Sequence, residues 1–189
     1  VIGVLVSGEG TNLQALLDAG LPVVAVASDN TKAKGLDRAA RAGIEAGAFP
    51  AAEFESRERR DEELAEWLGE RGVELVVLAG YMRLLTQPFL ERFPGRILNV
   101  HPSLLPSFPG AHAVEDALGH GVKVTGATVH FVDEGIDTGP IVLQQAVEIR
   151  EADTAETLHA RIQEIEHRLL PAAVRLFLDG KLSSPAASA

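Results

Sequence analysis

In "LNVHPSLLPSFPG" (98–110) an apolar run ends in Asn99 and His101 and then gives way to a loop broken by Pro102, Pro106 and Pro109. Residues two apart on a strand share a face, so this stretch presents an amide donor and an imidazole together. Such a pair suits addition to a carbonyl: Asn99 hydrogen-bonds the developing oxyanion while His101 moves a proton. The same pattern also fits a capped strand end with a partly buried histidine, and N-x-H by itself does not decide. A carboxylate beside an imidazole favours its charged form. The turn "DEGIDTGP" (133–140) offers three, with Gly135 and Gly139 permitting unusual backbone angles. Asp137, between the glycines, is the candidate partner of His101; a solvated turn is the alternative.

A third stretch, "SGEGTN" (7–12), is a glycine-bearing turn ahead of a helix, where backbone N–H groups and the helix dipole favour a phosphate. Thr11 and Asn12 add side-chain donors, and a plain tight turn stays open. A dinucleotide loop would need glycine at position 13, where Leu13 stands, although Asp29 ends the next strand at about the distance a ribose requires. His101, His112, His120 and His130 lie close in sequence, but none shares an H-x-x-x-H or H-E-x-x-H spacing and no cysteine helps, so no metal is expected.

These residues need strand ends to hold them. "VIGVLVSG" (1–8) is a β-branched run followed by Leu13, Leu16 and Leu17 at helical spacing. "LPVVAVASDN" (21–30) and "KAKGLDRAARAG" (32–43) repeat the strand–helix unit, which predicts a parallel sheet. "SRERRDEELAEWLGERG" (56–72) predicts a helix capped by Ser56 that buries Leu64, Trp67 and Leu68 and, being charged elsewhere, lies on the outside. "VELVVLAG" (73–80) and "RILNVH" (96–101) are further strands around a short helix, "TQPFLERF" (86–93). Beyond the proline loop come a short helix, "AVEDALGHG", and extended segments at 123–133 and 140–149, the first with Thr128 and His130 on one side and Val129 and Phe131 on the other. A long helix follows over 154–180, with Leu158, Ile162, Ile165 and Leu169 on one stripe and Pro171 marking a kink or restart. The expected fold class is α/β, a doubly wound, mostly parallel open sheet with helices on both faces. It forms a single domain over 1–180 with a tail at 181–189, and ligands sit at the carboxyl ends of its strands.

The bulk composition fits that picture. The 189 residues are 46% hydrophobic and 23% charged, enough for one good core. Net charge is −10 and the largest basic cluster is "RERR" (57–60), inside an acidic helix, so nucleic acid is not an expected partner. The absence of cysteine excludes disulfides, thiolate metal sites and cysteine nucleophiles. No apolar run approaches a membrane span and "VIGVLVSG" does not suit a signal peptide, so a cytoplasmic protein with no membrane partner is expected.

With these segments in view the chain resembles the folate-dependent formyltransferases, and within them most closely the phosphoribosylglycinamide (GAR) formyltransferase branch of purine synthesis. The blocks that carry the resemblance are "VLVSGEGTNLQALLDA", "VELVVLAGYMRLLT", "GRILNVHPSLLPSFPGAHA", "GATVHFVDEGIDTGPIVLQ" and "RIQEIEHRLLPAAV", in that order. The resemblance implies a reaction in which the GAR amine takes the formyl group of 10-formyltetrahydrofolate, a co-substrate, with no metal. It implies a catalytic trio of Asn99, His101 and Asp137. It also implies GAR contacts from Gly10, Thr11, Asn12, Gln163 and Glu166. The folate side falls to Arg57, Met82, Arg83, Leu84, Leu85, Asn99, Asp133, Glu134, Gly135, Ile136 and Asp137. The expected assembly is a monomer or homodimer. Two positions depart from the family's pattern. Glu9 sets a negative charge in the phosphate loop and must point away or lower the affinity, and Gln163 stands where some members carry a basic residue.

Overall fold

The structure is a computed structural model that describes residues 1–182; residues 183 to 189, most of the expected tail, lie outside the described residues. Seven strands follow the order β3-β2-β1-β4-β5-β6-β7. The chain divides into two compact units, Val1–Leu98 and the residues from Asn99 onward, and the strand β5 (Ile97–His101) contributes its first two residues to one and its last three to the other.

In the first unit β1 (Ile2–Val6) lies between β2 (Val23–Ser28) and β4 (Leu75–Leu78), parallel to both, with Val4 opposite Val26 on one side and Val77 on the other. All of β1 and β4 is buried. Near-continuous apolar runs are what a parallel strand covered on both faces requires. The helices α1 (Thr11–Asp18), α2 (Lys34–Arg41) and α3 (Arg57–Glu70) fall where helical spacing predicts them, with Leu13, Leu16, Leu64 and Leu68 in the core. Ser56 caps α3 as expected, its Oγ accepting from Arg59 N–H at 3.0 Å.

Three features of this unit differ from expectation. β3 (Glu45–Ala48), parallel to β2 at the sheet edge, is not foreseen, because an exposed E-A-G-A run has neither β-branched residues nor apolar alternation. Trp67 is only half buried; its ring meets Phe49 edge-on at 5.6 Å and lies 4.0 Å beneath the Arg71 guanidinium. The charged face of α3 does not all point outward, since Arg60 is 1% and Asp61 0% exposed. After β4 the chain runs through an irregular segment into α4 (Gln87–Arg92).

The second unit carries the end of β5, α5 (Ala113–His120), and the antiparallel pair β6 (Val124–Phe131) and β7 (Ile141–Glu148). With that antiparallel pair the sheet is mostly, rather than wholly, parallel. The long helix α6 (Ala155–Leu178) packs on β6 and β7 and starts with a reciprocal cap between Thr154 and Thr157. It runs unbroken through Pro171, which is buried within it, so of the expected kink or restart the restart does not occur. Leu158, Ile162, Ile165 and Leu169 form the predicted buried stripe.

Candidate active site

At the end of β5 in the second unit, His101 is 5% exposed and Asn99 half buried. At the end of β6 stands His130, 2% exposed. The turn after β6 folds Asp137 back toward both rings: its Oδ2 lies 3.4 Å from His101 Nδ1 and its Oδ1 3.6 Å from His130 Nε2. Gly110 N–H donates to the same carboxylate at 2.8 Å. Burial pushes the Asp137 carboxyl up, but the neighbouring His130 ring, the Gly110 N–H and the nearby His101 ring outweigh that and hold it below the usual carboxylate range.

The turn achieves this differently from expectation. Gly135 and Gly139 are not in the left-handed region; Asp137 itself is, with φ 54°. The glycines are required by close approach, because a Cβ at Gly139 would collide with the Phe131 carbonyl and one at Gly135 with Thr138 Oγ1. Asp133 does not reach the cluster. It stays in its own turn, accepting from Gly135 N–H at 3.0 Å and Thr138 Oγ1 at 2.7 Å, and Glu134 and Ile136 are exposed.

His130 is the member that sequence reasoning misses, having weighed it only as a metal ligand. Its Nδ1–H donates to Phe131 O at 2.8 Å, so in the neutral ring Nε2 accepts from Asn99 Nδ2–H at 3.2 Å. The available signal was its parity: His130 lies at the end of an extended segment, as Asn99 and His101 do. His101 Nε2–H is itself engaged, donating to Phe108 O at 2.8 Å. Phe108 sits at φ 51°, a conformation a bulky residue rarely adopts. The proline loop is therefore tied in two ways. Its near half bonds β6 and β7 through Thr128 and Gln144, and its far half bonds His101 and Asp137.

In the first unit Gly10 is the N-cap of α1, left-handed at φ 70°, and has no side chain with which to cap the helix's first amides. A Cβ there would fall 2.7 Å from the Gly35 Cα, so only glycine lets α1 and α2 approach this closely. Asn12 is buried and Thr11 half buried. Glu9 turns toward Lys34, 2.8 Å from its Nζ, and Arg38 Nε–H binds the Glu9 carbonyl at 2.8 Å. The charge that seemed misplaced in this loop is thus paired aside.

Asp29 is occupied by Ser7 Oγ at 2.6 Å and Arg83 Nε at 2.7 Å, which argues against its holding a ribose. The segment Met82–Leu85 has no regular structure but is well anchored. Met82 N–H donates to Ser7 Oγ at 2.9 Å and Arg57 Nη2–H to Leu84 O at 3.3 Å, while the Met82 and Leu84 side chains are 73% and 54% exposed. On α6, in the second unit, Glu166 is buried and Gln163 half buried. No helix among the described residues is long and apolar enough to cross a membrane, and none of their His, Asp and Glu side chains form a set of three or more arranged for a metal ion.

An amide donor, two imidazoles and a carboxylate linked in series can support carbonyl addition with proton transfer. The family model described as formyl transferase matches residues 1–174 of this chain. The chain belongs to the formyl transferase family. Among its relatives in that family is the phosphoribosylglycinamide formyltransferase of Mycobacterium tuberculosis. It is 49% identical over 176 residues, covering 90% of this chain and 81% of that protein. The crystal structure of glycinamide ribonucleotide transformylase 1 from Symbiobacterium toebii superposes with a TM-score of 0.95 at 55% identity, covering 96% of this chain and 89% of the other. The trifunctional purine biosynthetic protein adenosine-3 of Gallus gallus is 45% identical over 185 residues, 95% of this chain, but the chain spans only 18% of that protein's length.

Proposed function

We propose that this formyl transferase moves the formyl group of 10-formyltetrahydrofolate to the amine of GAR, a step of purine biosynthesis. The observation that carries this reading is the Asn99–His130–Asp137–His101 cluster, set in a chain that is similar over most of its length to proteins named for that activity.

The amine attacks the formyl carbon and creates an oxyanion and a surplus proton on nitrogen; collapse expels the folate nitrogen, which takes up a proton. The products are the formylated amide and tetrahydrofolate. With one Asn99 N–H held by His130, the other meets the oxyanion. His101, paired through Nδ1 with Asp137, moves the proton. Its Nε2–H becomes available once the Phe108 carbonyl yields, so substrate binding shifts the far half of the proline loop. The GAR phosphate falls to Gly10, Thr11 and Asn12, and the glycinamide end to Glu166 and Gln163. The folate-type donor falls to Arg57, Met82–Leu85 and the turn Asp133–Asp137.

The test is to supply 10-formyltetrahydrofolate and GAR and follow tetrahydrofolate release. Turnover is expected, with kcat lowered about 10²- to 10⁴-fold in His101→Ala. No turnover, or an unaffected His101→Ala, overturns the proposal, and release without GAR points to a hydrolase instead.

A further inference from the structure

Arg60 and Asp61 form an ion pair that is almost wholly buried, 2.7 Å from Arg60 Nη2 to Asp61 Oδ1, on a helix that the sequence predicts to lie on the outside. A buried pair is a poor source of stability, since well-packed apolar residues of similar volume commonly do as well. What the carboxylate does with its second oxygen is more telling. Oδ1 takes both Arg60 donors, Nε at 2.9 Å and Nη2 at 2.7 Å, which fixes the side chain so that Oδ2 faces Thr86. Oδ2 then accepts the Thr86 N–H at 2.8 Å and its Oγ1–H at 2.9 Å. Thr86 is the N-cap residue of α4, where a threonine hydroxyl ordinarily accepts from the helix's own amides, yet it makes no cap and is given to Asp61 instead.

We infer that Asp61, oriented by Arg60, is a positioning residue that holds the 82–86 segment in the conformation that receives the folate-type donor. The inference rests on the proposed function for the identity of that donor. The segment is irregular, and its fixed backbone presents Met82 and Leu84 to solvent. Apolar side chains on a backbone already ordered bind a flat heterocycle without a further ordering cost. Releasing Thr86 loosens the segment's far end, while Ser7, Asp29 and Arg57 still hold its near end. The effect therefore falls on donor affinity and not on turnover.

Three variants test this: Asp61→Asn, Thr86→Val, which removes the hydroxyl but keeps the N–H, and Thr86→Ser, which keeps both. Asp61→Asn is expected to raise KM for 10-formyltetrahydrofolate about tenfold, the scale of one charge-assisted hydrogen bond. kcat and KM for GAR should stay within about twofold, and amide exchange over 82–86 should quicken. Thr86→Val should move the same way by less, and Thr86→Ser should match wild type. If Asp61→Asn does not fold, the two Thr86 variants decide. Donor KM unchanged while exchange quickens, unaltered exchange, or kcat and both KM values moving together would overturn the inference. Should wild type bind 10-formyltetrahydrofolate without formylating GAR, the proposed function fails by itself. Titration with 10-formyltetrahydrofolate then decides this inference: a tenfold weaker Asp61→Asn supports it, and equal dissociation constants refute it.

Discussion

At Asp61 the lone-pair directions of the carboxylate are all taken: two donors from Arg60 on one oxygen, two from Thr86 on the other, all within 2.9 Å. At Asp137 one short bond comes from Gly110 N–H, and the two imidazoles stand back at 3.4 and 3.6 Å. Both carboxylates are turned inward and both face cationic or potentially cationic partners. The first is saturated and can only hold; the second keeps contacts that tighten when a ring gains a proton and relax when it loses one. Full hydrogen bonding makes a strut, and incomplete bonding leaves a group that responds to proton movement.

Neutralising the responsive carboxylate should therefore damage chemistry, and neutralising the strut should damage the fold. Asp137→Asn is expected to lower kcat about a thousandfold, since it frees His101 and His130 together, and steady-state rates of formyl transfer would show it. The same variant tests pH dependence. The folded Asp137 carboxyl lies below its unfolded value of about 3.9, so its contribution is present above that value and is lost as pH falls through the folded one. The stability difference between wild type and Asp137→Asn, read by urea unfolding, should shrink as pH drops below about 4. A difference constant with pH would mean that the charge on Asp137 does nothing for the fold.

Asp61→Asn should cost about 3 kcal/mol of stability, because it strands the buried Arg60 charge. Combining Arg60→Met with Asp61→Leu should regain most of that in the same denaturation experiment. A double variant no better than the single one would show that the pair contributes net stability and is more than a strut. The smallest effect belongs to Glu9→Gln. Its partner Lys34 is as exposed as Glu9 itself, so unfolding should shift by under about 1 kcal/mol, and affinity for GAR should rise by no more than about twofold. A larger gain would show that the Lys34 pairing fails to draw the charge away from the phosphate loop.

Much of this was legible in the chain. The apolar runs at 1–8, 21–30 and 73–80 could only be covered strands, and the Ser56 cap announced its helix. N-x-H at 99–101 gave two polar groups on one face. Other features were not legible because no local pattern encodes them. β3 is a strand by pairing with β2 alone, for its residues have no strand preference. Arg60 and Asp61 lie in a run of charges whose periodicity is that of a solvated face, and their burial follows from what packs against them. Pro171 reads as a kink or a restart, and the continuity of α6 through it excludes the restart.

The sequence alone determined which chemistry was possible: an amide, imidazoles and a carboxylate, no thiol, and a glycine turn ahead of a helix. It also determined the alternation of strand and helix, because periodicities of two and about 3.6 residues follow directly from backbone geometry. Only the tertiary structure decided which carboxylate faces two imidazoles and which is filled by Arg60 and Thr86, that His130 joins Asn99, and that Glu9 turns to Lys34. Those outcomes depend on distances between residues far apart in the chain, which packing fixes and no local pattern records.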